Sequence, residues 1–130
     1  MKKFLLISAL TLTSSIAVAA HHAMTLTDNQ GMTLYTFDKD VDGQSTCYDS
    51  CAINWPPFIM KDGEVKKDGW STIERTDGTK QWTYNGQPLY TWVGDKKAGD
   101  TTGDGVGGVW HIAKKAHDKS SKKKADSSSY

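Results

Sequence analysis

The chain has 130 residues, 16 Lys plus Arg against 15 Asp plus Glu, a formal net charge of +1 and two cysteines. That length supports one small domain with a modest core. The acidic balance of 21–113, with 8 Lys plus Arg against 13 Asp plus Glu, argues against a nucleic-acid partner, and without a Cys-x-x-Cys-His segment no covalent c-type haem can attach.

Residues 1–20 open on Lys2 and Lys3, continue through an apolar run from Phe4 to Leu12 and end in Ala17-Val18-Ala19-Ala20. This predicts a secretory signal peptide cleaved after Ala19 or Ala20. The apolar run is too short for a membrane span, although an N-terminal anchor helix is the alternative. No Cys stands at the cleavage point to carry a lipid, so the mature protein should be soluble. Cleavage after Ala19 leaves Ala20-His21-His22, in which a free amine, two amide nitrogens and the third-position imidazole suit Cu²⁺ or Ni²⁺, with Met24 nearby as a soft ligand for Cu⁺. Cleavage after Ala20 removes that geometry and leaves a plain His-containing start.

The middle of the chain, 21–113, is acidic, contains all five Trp and reads as β throughout. Turn residues Asp28-Asn-Gln-Gly31 precede a strand over Met32–Phe37. Strands over Ser71–Arg75 and Lys80–Tyr84 are divided by Asp77-Gly78, and Asn85-Gly86 predicts a two-residue hairpin into a strand over Gln87–Val93. Gly94–Gly108 reads as a long surface loop. A last strand covers Val109–Ala113, with His111 as a partly exposed sheet residue. Lys114–Tyr130, rich in Lys and Ser without apolar periodicity, predicts a disordered basic tail, more a solvated terminus than an anion-binding arm.

Between the first two strands lies Asp38-Lys-Asp40-Val-Asp42-Gly43-Gln44-Ser-Thr46-Cys-Tyr-Asp49. It fits the calcium-loop template, in which alternate carboxylates and a sixth-position Gly converge hard oxygens on one ion, with Asp38, Asp40, Asp42, Gln44 and Asp49 as ligands. Against calcium, the twelfth residue is Asp rather than Glu, a cysteine lies inside the loop, and no helix is expected to flank it. Turn-building by Asx contacts is the favoured reading. Cys47 and Cys51 most simply form one disulfide after export. Redox exchange usually employs two intervening residues, so the three here favour a structural bond over a cycling or metal-binding thiol pair.

The chain also repeats itself. Gly31–Asp40 returns as Gly86–Asp95 at an offset of 55 residues, and the same ungapped offset pairs Thr46 with Thr101, Asp49 with Asp104 and Trp55 with Trp110. It would also set Thr102 and Val106 opposite Cys47 and Cys51, so that the second copy does without the bridge. Duplication of this kind predicts two supersecondary units, 31–55 and 86–110, that cover each other's apolar faces. Period-two alternation puts Tyr35 and Phe37 on one strand face, and likewise Tyr90 and Trp92, with Leu and Thr opposite. Such aromatic faces could stack on sugar rings; packing together as a core is the favoured reading.

These segments, with Cys51-Ala-Ile-Asn-Trp-Pro-Pro57, Tyr84-Asn-Gly-Gln-Pro-Leu-Tyr90 and Gly108-Val-Trp-His111, resemble the bacterial "secreted repeat of unknown function" family. Its members are predicted lipoproteins with a Tyr-x-aromatic-x-x-Asp motif. Tyr35-Thr-Phe-Asp-Lys-Asp40 and Tyr90-Thr-Trp-Val-Gly-Asp95 are both instances, and the resemblance spans nearly all of 24–113. It implies an envelope location and no defined activity. The missing anchor Cys departs from the lipoprotein pattern.

The chain carries no Ser nucleophile elbow, spaced His pair or phosphate-cradling Gly motif. The expectation is therefore an all-β, antiparallel, duplicated domain with one short disulfide, monomeric and periplasmic or secreted. It would serve as a non-catalytic binding or envelope-maintenance module for an envelope ligand or protein. No resident cofactor is expected. Metal binding (Ca²⁺ at the Asp38–Asp49 loop or Cu at the N-terminus) and thiol redox are the alternatives.

Overall fold

Asn85 and Gly86 adopt left-handed backbone, φ 47° and 79°, and so close a two-residue hairpin whose twist matches that of its strands. Its arms are β3 (Lys80–Tyr84) and β4 (Gln87–Pro88), and β3 also pairs antiparallel along its whole length with β2 (Trp70–Glu74). A second antiparallel pair joins β1 (Tyr35–Phe37) to β5 (Trp110–Ile112) in the register Tyr35 opposite Ile112 and Phe37 opposite Trp110. The computed structural model describes residues 24–116. The expected signal peptide, His21, His22 and most of the basic tail lie outside the described residues.

β2 and β3 keep the expected length of five residues, whereas the two repeat strands are shorter than their sequence patterns because each changes partner every two or three residues. Met32–Phe37 pairs first with Thr27 and Leu26, then with Tyr90 and β5. Gln87–Val93 pairs with β3, then Tyr35 and Pro57. Two short helical pieces interrupt the β pattern: α1 (Ser50–Asn54), just after the acidic segment, and a 3₁₀ turn over Val106–Gly108. The expectation that no helix flanks the acidic loop is thus corrected. The disulfide does form between Cys47 and Cys51, linking α1 to the turn before it with Cα atoms 5.3 Å apart.

Backbone hydrogen bonds reveal an internal two-fold relation. Tyr35 N–H donates to Tyr90 O at 2.8 Å and Tyr90 N–H donates back to Tyr35 O at 3.0 Å, so the axis passes between the two tyrosines. Around it, Ala113 N to Leu34 O (2.8 Å) is mirrored by Phe58 N to Leu89 O (2.9 Å). Likewise Leu26 N to Ala113 O (2.9 Å) is mirrored by Trp82 N to Phe58 O (2.8 Å). The unit therefore extends beyond 31–55 and 86–110, from Leu26 to Phe58 and from Trp82 to Ala113. The end of each copy completes the sheet of the other, an exchange that makes neither half a separate body. The segment between the copies, including β2, has no counterpart in the first copy.

The core has two layers because both faces of the repeat strands are covered. On one face Leu26, Leu34, Trp82, Leu89 and Ala113 cluster, with Phe58, Met60, Trp70 and Tyr84 packed on their edge. On the other lie Tyr35, Tyr90, Trp55, Trp110 and Cys47. There the rings stack as Phe37, Trp110, Trp55, Trp92, with centroid separations of 4.1, 3.8 and 4.1 Å. The alternation read from Leu-Tyr-Thr-aromatic thus holds in both copies, and the motif aromatics form core rather than an open stacking surface. Aromatic pairs add about 0.5–1.5 kcal/mol beyond area burial, so the stack ties the copies together at their axis.

Candidate functional site

The motif tyrosines and aspartates meet across the axis. Tyr35 sits on β1 with no exposed surface, and its hydroxyl donates to Asp95 Oδ2 at 2.7 Å. Tyr90, equally buried, donates to Asp40 Oδ2 at 2.7 Å. Each Tyr therefore bonds the Asp of the other copy rather than the one five residues ahead in its own motif. The remaining oxygen of each Asp anchors the following turn. Asp40 Oδ1 accepts from Thr46 N and Oγ1 at 2.8 and 3.1 Å, and Asp95 Oδ1 accepts from Thr102 N and Oγ1 at 2.9 and 2.6 Å. The structural partner of Thr46 is Thr102, so the ungapped pairing with Thr101 is corrected. One extra residue lies between Asp95 and Thr102, and Cys47 consequently corresponds to Gly103, not Thr102.

Burial raises both phenol pKa values well above the ordinary 10.0, and the aspartate beside each adds to the rise. Asp40 is half-buried. Desolvation lifts its carboxyl above the ordinary carboxylate value despite the bonds from Thr46 and Tyr90 and the nearby Arg75 charge, which pull it down.

The two sides of the axis differ in what stands behind the phenol. Tyr35 O accepts directly from Gly103 N–H at 3.2 Å. At the equivalent point Ser45 intervenes. Tyr90's only proton goes to Asp40, so Ser45 O–H donates to the Tyr90 oxygen, at 2.7 Å. Ser45 Oγ in turn accepts from Cys47 N and Arg75 Nη1, at 3.3 and 3.0 Å. Arg75, only 5 % exposed, also donates to Gln81 Oε1 and Cys47 O at 2.9 and 2.8 Å, and its guanidinium lies 4.2 Å from the Tyr48 ring centre. A buried guanidinium demands such partners. This cluster of Asp40, Ser45, Arg75, Gln81 and Tyr90 was not legible in the sequence, because Arg75 and Gln81 belong to no motif, Ser45 is a non-ligand position of the acidic segment, and the three are far apart along the chain.

The proposed calcium ligands are dispersed. Asp38 Oδ2 lies 2.7 Å from His111 Nε2 at the surface, Asp40 is engaged as above, and Asp42 with Gly43 forms the two-residue tip of a small hairpin closed by Val41 and Gln44. Asp49 takes a left-handed φ of 54° immediately before α1. Among the described residues no group of three or more His, Cys, Asp or Glu side chains converges in a way that holds a metal. Of the N-terminal copper set only Met24 is described; its carbonyl accepts from Lys115 N at 2.7 Å.

A duplicated antiparallel β module, closed on itself by exchanged strands and crossed Tyr–Asp bonds, is the class that this geometry defines. The chain belongs to the family described as "secreted repeat of unknown function", whose profile matches residues 23–59 and 71–114, more than half of its length. The first match spans the first copy, and the second spans the second copy together with most of β2 and the turn after it. Comparison with curated proteins and with solved structures returned no match. No helix among the described residues is long and apolar enough to cross a membrane.

Proposed function

We propose that this protein is a non-catalytic binding or envelope-maintenance module, exported to the periplasm or beyond and acting as a monomer on an envelope ligand or protein. One observation supports the reading above all. The residues best equipped for chemistry, Tyr35, Tyr90, Asp40, Asp95, Ser45 and Arg75, are bonded to one another inside the fold, and they serve to join the copies. A secreted-repeat family and a short, local disulfide fit the same role.

The test is complementation of a deletion strain under osmotic or detergent stress. Folded, exported Ser45→Ala and Cys47→Ser/Cys51→Ser variants should restore growth like the native protein. Failure of a folded Cys variant would make thiol redox the leading reading, and failure of folded Ser45→Ala would point to catalysis. A melting temperature raised by Ca²⁺, and no longer raised in Asp40→Ala, would instead make the acidic hairpin a metal site.

A further inference from the structure

The two-fold relation exposes a feature that the fold itself does not require. Trp82 and Phe58 correspond, by their backbone bonds, to Leu26 and Ala113 of the other half, so the same sheet is built there with small aliphatic side chains. In the second half these positions are aromatic, and β2 adds Trp70 beside them. Trp70 stands nearly perpendicular to both neighbours, 73° to Phe58 at 6.4 Å and 87° to Trp82 at 6.0 Å. Trp70 thus meets each of the other two rings edge to face, and the three together form a corner.

The ammonium of Lys66 occupies that corner, 4.7 Å from the centre of Trp70, 5.4 Å from Phe58 and 5.5 Å from Trp82. It makes no hydrogen bond or ion pair with any described residue, although Glu64 is two positions away. Glu64 instead accepts from Trp82 Nε1 and from Lys61 N, both at 3.3 Å, and so holds the 61–69 loop over the rings. A cation held over ring faces with no contacting ion pair marks a place where ring quadrupoles favour positive charge, with the Glu64 carboxylate at the edge of Trp82. Next to it lies a hollow of about 360 Å³ bordered by Lys66, Trp70, Lys67 and Lys115, two further cations able to face an anion.

We propose that Phe58, Trp70 and Trp82 form an aromatic cage for the trimethylammonium end of a small zwitterion, that Lys67 and Lys115 take its phosphate or carboxylate, and that Lys66 is the built-in occupant the ligand displaces. The proposal deepens the binding-module reading and rests on it. The shared chemistry is a phosphocholine group, whether free or on a lipid.

The test follows the indole N–H signals of Trp70 and Trp82 by NMR in the mature protein during titration with phosphocholine, and with 3,3-dimethylbutyl phosphate, in which carbon replaces the charged nitrogen. A tethered ammonium competes at an effective concentration of about millimolar, so Lys66→Gln should bind phosphocholine about tenfold tighter or more than the native protein. The carbon isostere, which keeps the phosphate but lacks the ammonium charge, should bind Lys66→Gln at least about tenfold more weakly than phosphocholine does, and Trp70→Phe should weaken phosphocholine binding while keeping a ring in place. In the native protein, saturation should release the Lys66 side-chain protons from their ring-current shifts. Cosedimentation with phosphatidylcholine vesicles would assign the ligand to a lipid headgroup, and its absence beside soluble binding would assign a free molecule. No saturable shift in folded Lys66→Gln, or equal binding of the isostere, overturns the cage. Neither result touches the non-catalytic reading, which the Ser45 and cysteine variants decide.

Discussion

Tyr35 and Tyr90 donate a backbone hydrogen bond to each other, at 2.8 and 3.0 Å, and then send their phenols in opposite directions to Asp95 and Asp40. One pair of residues thus defines the axis, closes the sheet across it and caps both turns. Two Tyr-x-aromatic-x-x-Asp motifs are needed for this because each supplies the donor for one contact and the acceptor for the other.

Crossed bonding predicts crossed energetics. Tyr35→Phe should destabilise by about 1–3 kcal/mol, the range for orphaning buried hydrogen-bonding groups, since it leaves both Asp95 Oδ2 and Gly103 N–H without a partner. In double-mutant cycles read by urea unfolding, Tyr35→Phe should couple to Asp95→Asn by about 0.5–3 kcal/mol and to Asp40→Asn by much less. Stronger coupling within a motif than across motifs would contradict the architecture.

The same phenols set the alkaline limit. Their folded pKa values are raised above the unfolded value of 10.0, so their contribution to stability is fully present below pH 10.0 and is lost as pH rises through the folded values. Melting temperature should fall steeply above pH 10, and Tyr35→Phe or Tyr90→Phe, although less stable at neutral pH, should show a shallower fall. Absorbance of phenolate should appear in two stages, with the buried pair ionising only on unfolding.

The ring stack concentrates stability at the axis. Trp55, 5 % exposed, touches Trp110, Trp92 and Tyr35. Trp55→Ala should cost about 3–5 kcal/mol, the usual range for emptying a buried aromatic site, enough to unfold much of a marginal domain. Trp55→Phe should fold but lose the exciton signal of the Trp55–Trp110 pair in circular dichroism.

Closing so short a loop as Cys47–Cys51 stabilises by about 2 kcal/mol on the chain-entropy estimate. The second copy builds the corresponding turn with Gly103, and Arg75 reaches the Cys47 carbonyl rather than its sulfur. Cys47→Ala/Cys51→Ala should therefore melt lower yet give native-like near-ultraviolet circular dichroism. An unfolded product would show that the bridge organises the fold.

Gly103 tests the packing around Tyr35. A Cβ there would lie 2.8 Å from Tyr35 Cζ and 2.9 Å from Trp55 Cη2, closer than van der Waals contact permits. Gly103→Ala should destabilise by about 1–3 kcal/mol through overpacking, whereas Gly105→Ser, with no neighbour within 4 Å but a φ of 81°, should show only the backbone penalty. Thermal melts of the two variants separate sterics from strain.

Alternation in Leu-Tyr-Thr-aromatic is enough to place Tyr35 and Tyr90 on one face and Leu34 and Leu89 on the other, because strand geometry alone sends successive side chains to opposite sides. Asn85-Gly86 likewise announced its hairpin through local backbone preference. The repeat predicted two units that cover each other's apolar faces, and the cysteines predicted their bridge. All of these are encoded within a few residues or by direct identity.

What required the tertiary structure is everything that depends on which copy a side chain meets. That Tyr35 reaches Asp95 rather than Asp40, and that Phe58 and Ala113 cross into the opposite sheet, follow from exchange about the axis, which leaves no trace in spacing; that Thr46 answers to Thr102 follows from one extra residue after Asp95. Arg75, Ser45 and Gln81 were invisible for the same reason: a buried charge takes partners wherever the fold brings oxygens together. Lys66 joins Phe58, Trp70 and Trp82 only because β2 and the loop before it pack on one half alone, so the sequence by itself determined the duplication and the tertiary structure alone decided where the halves differ.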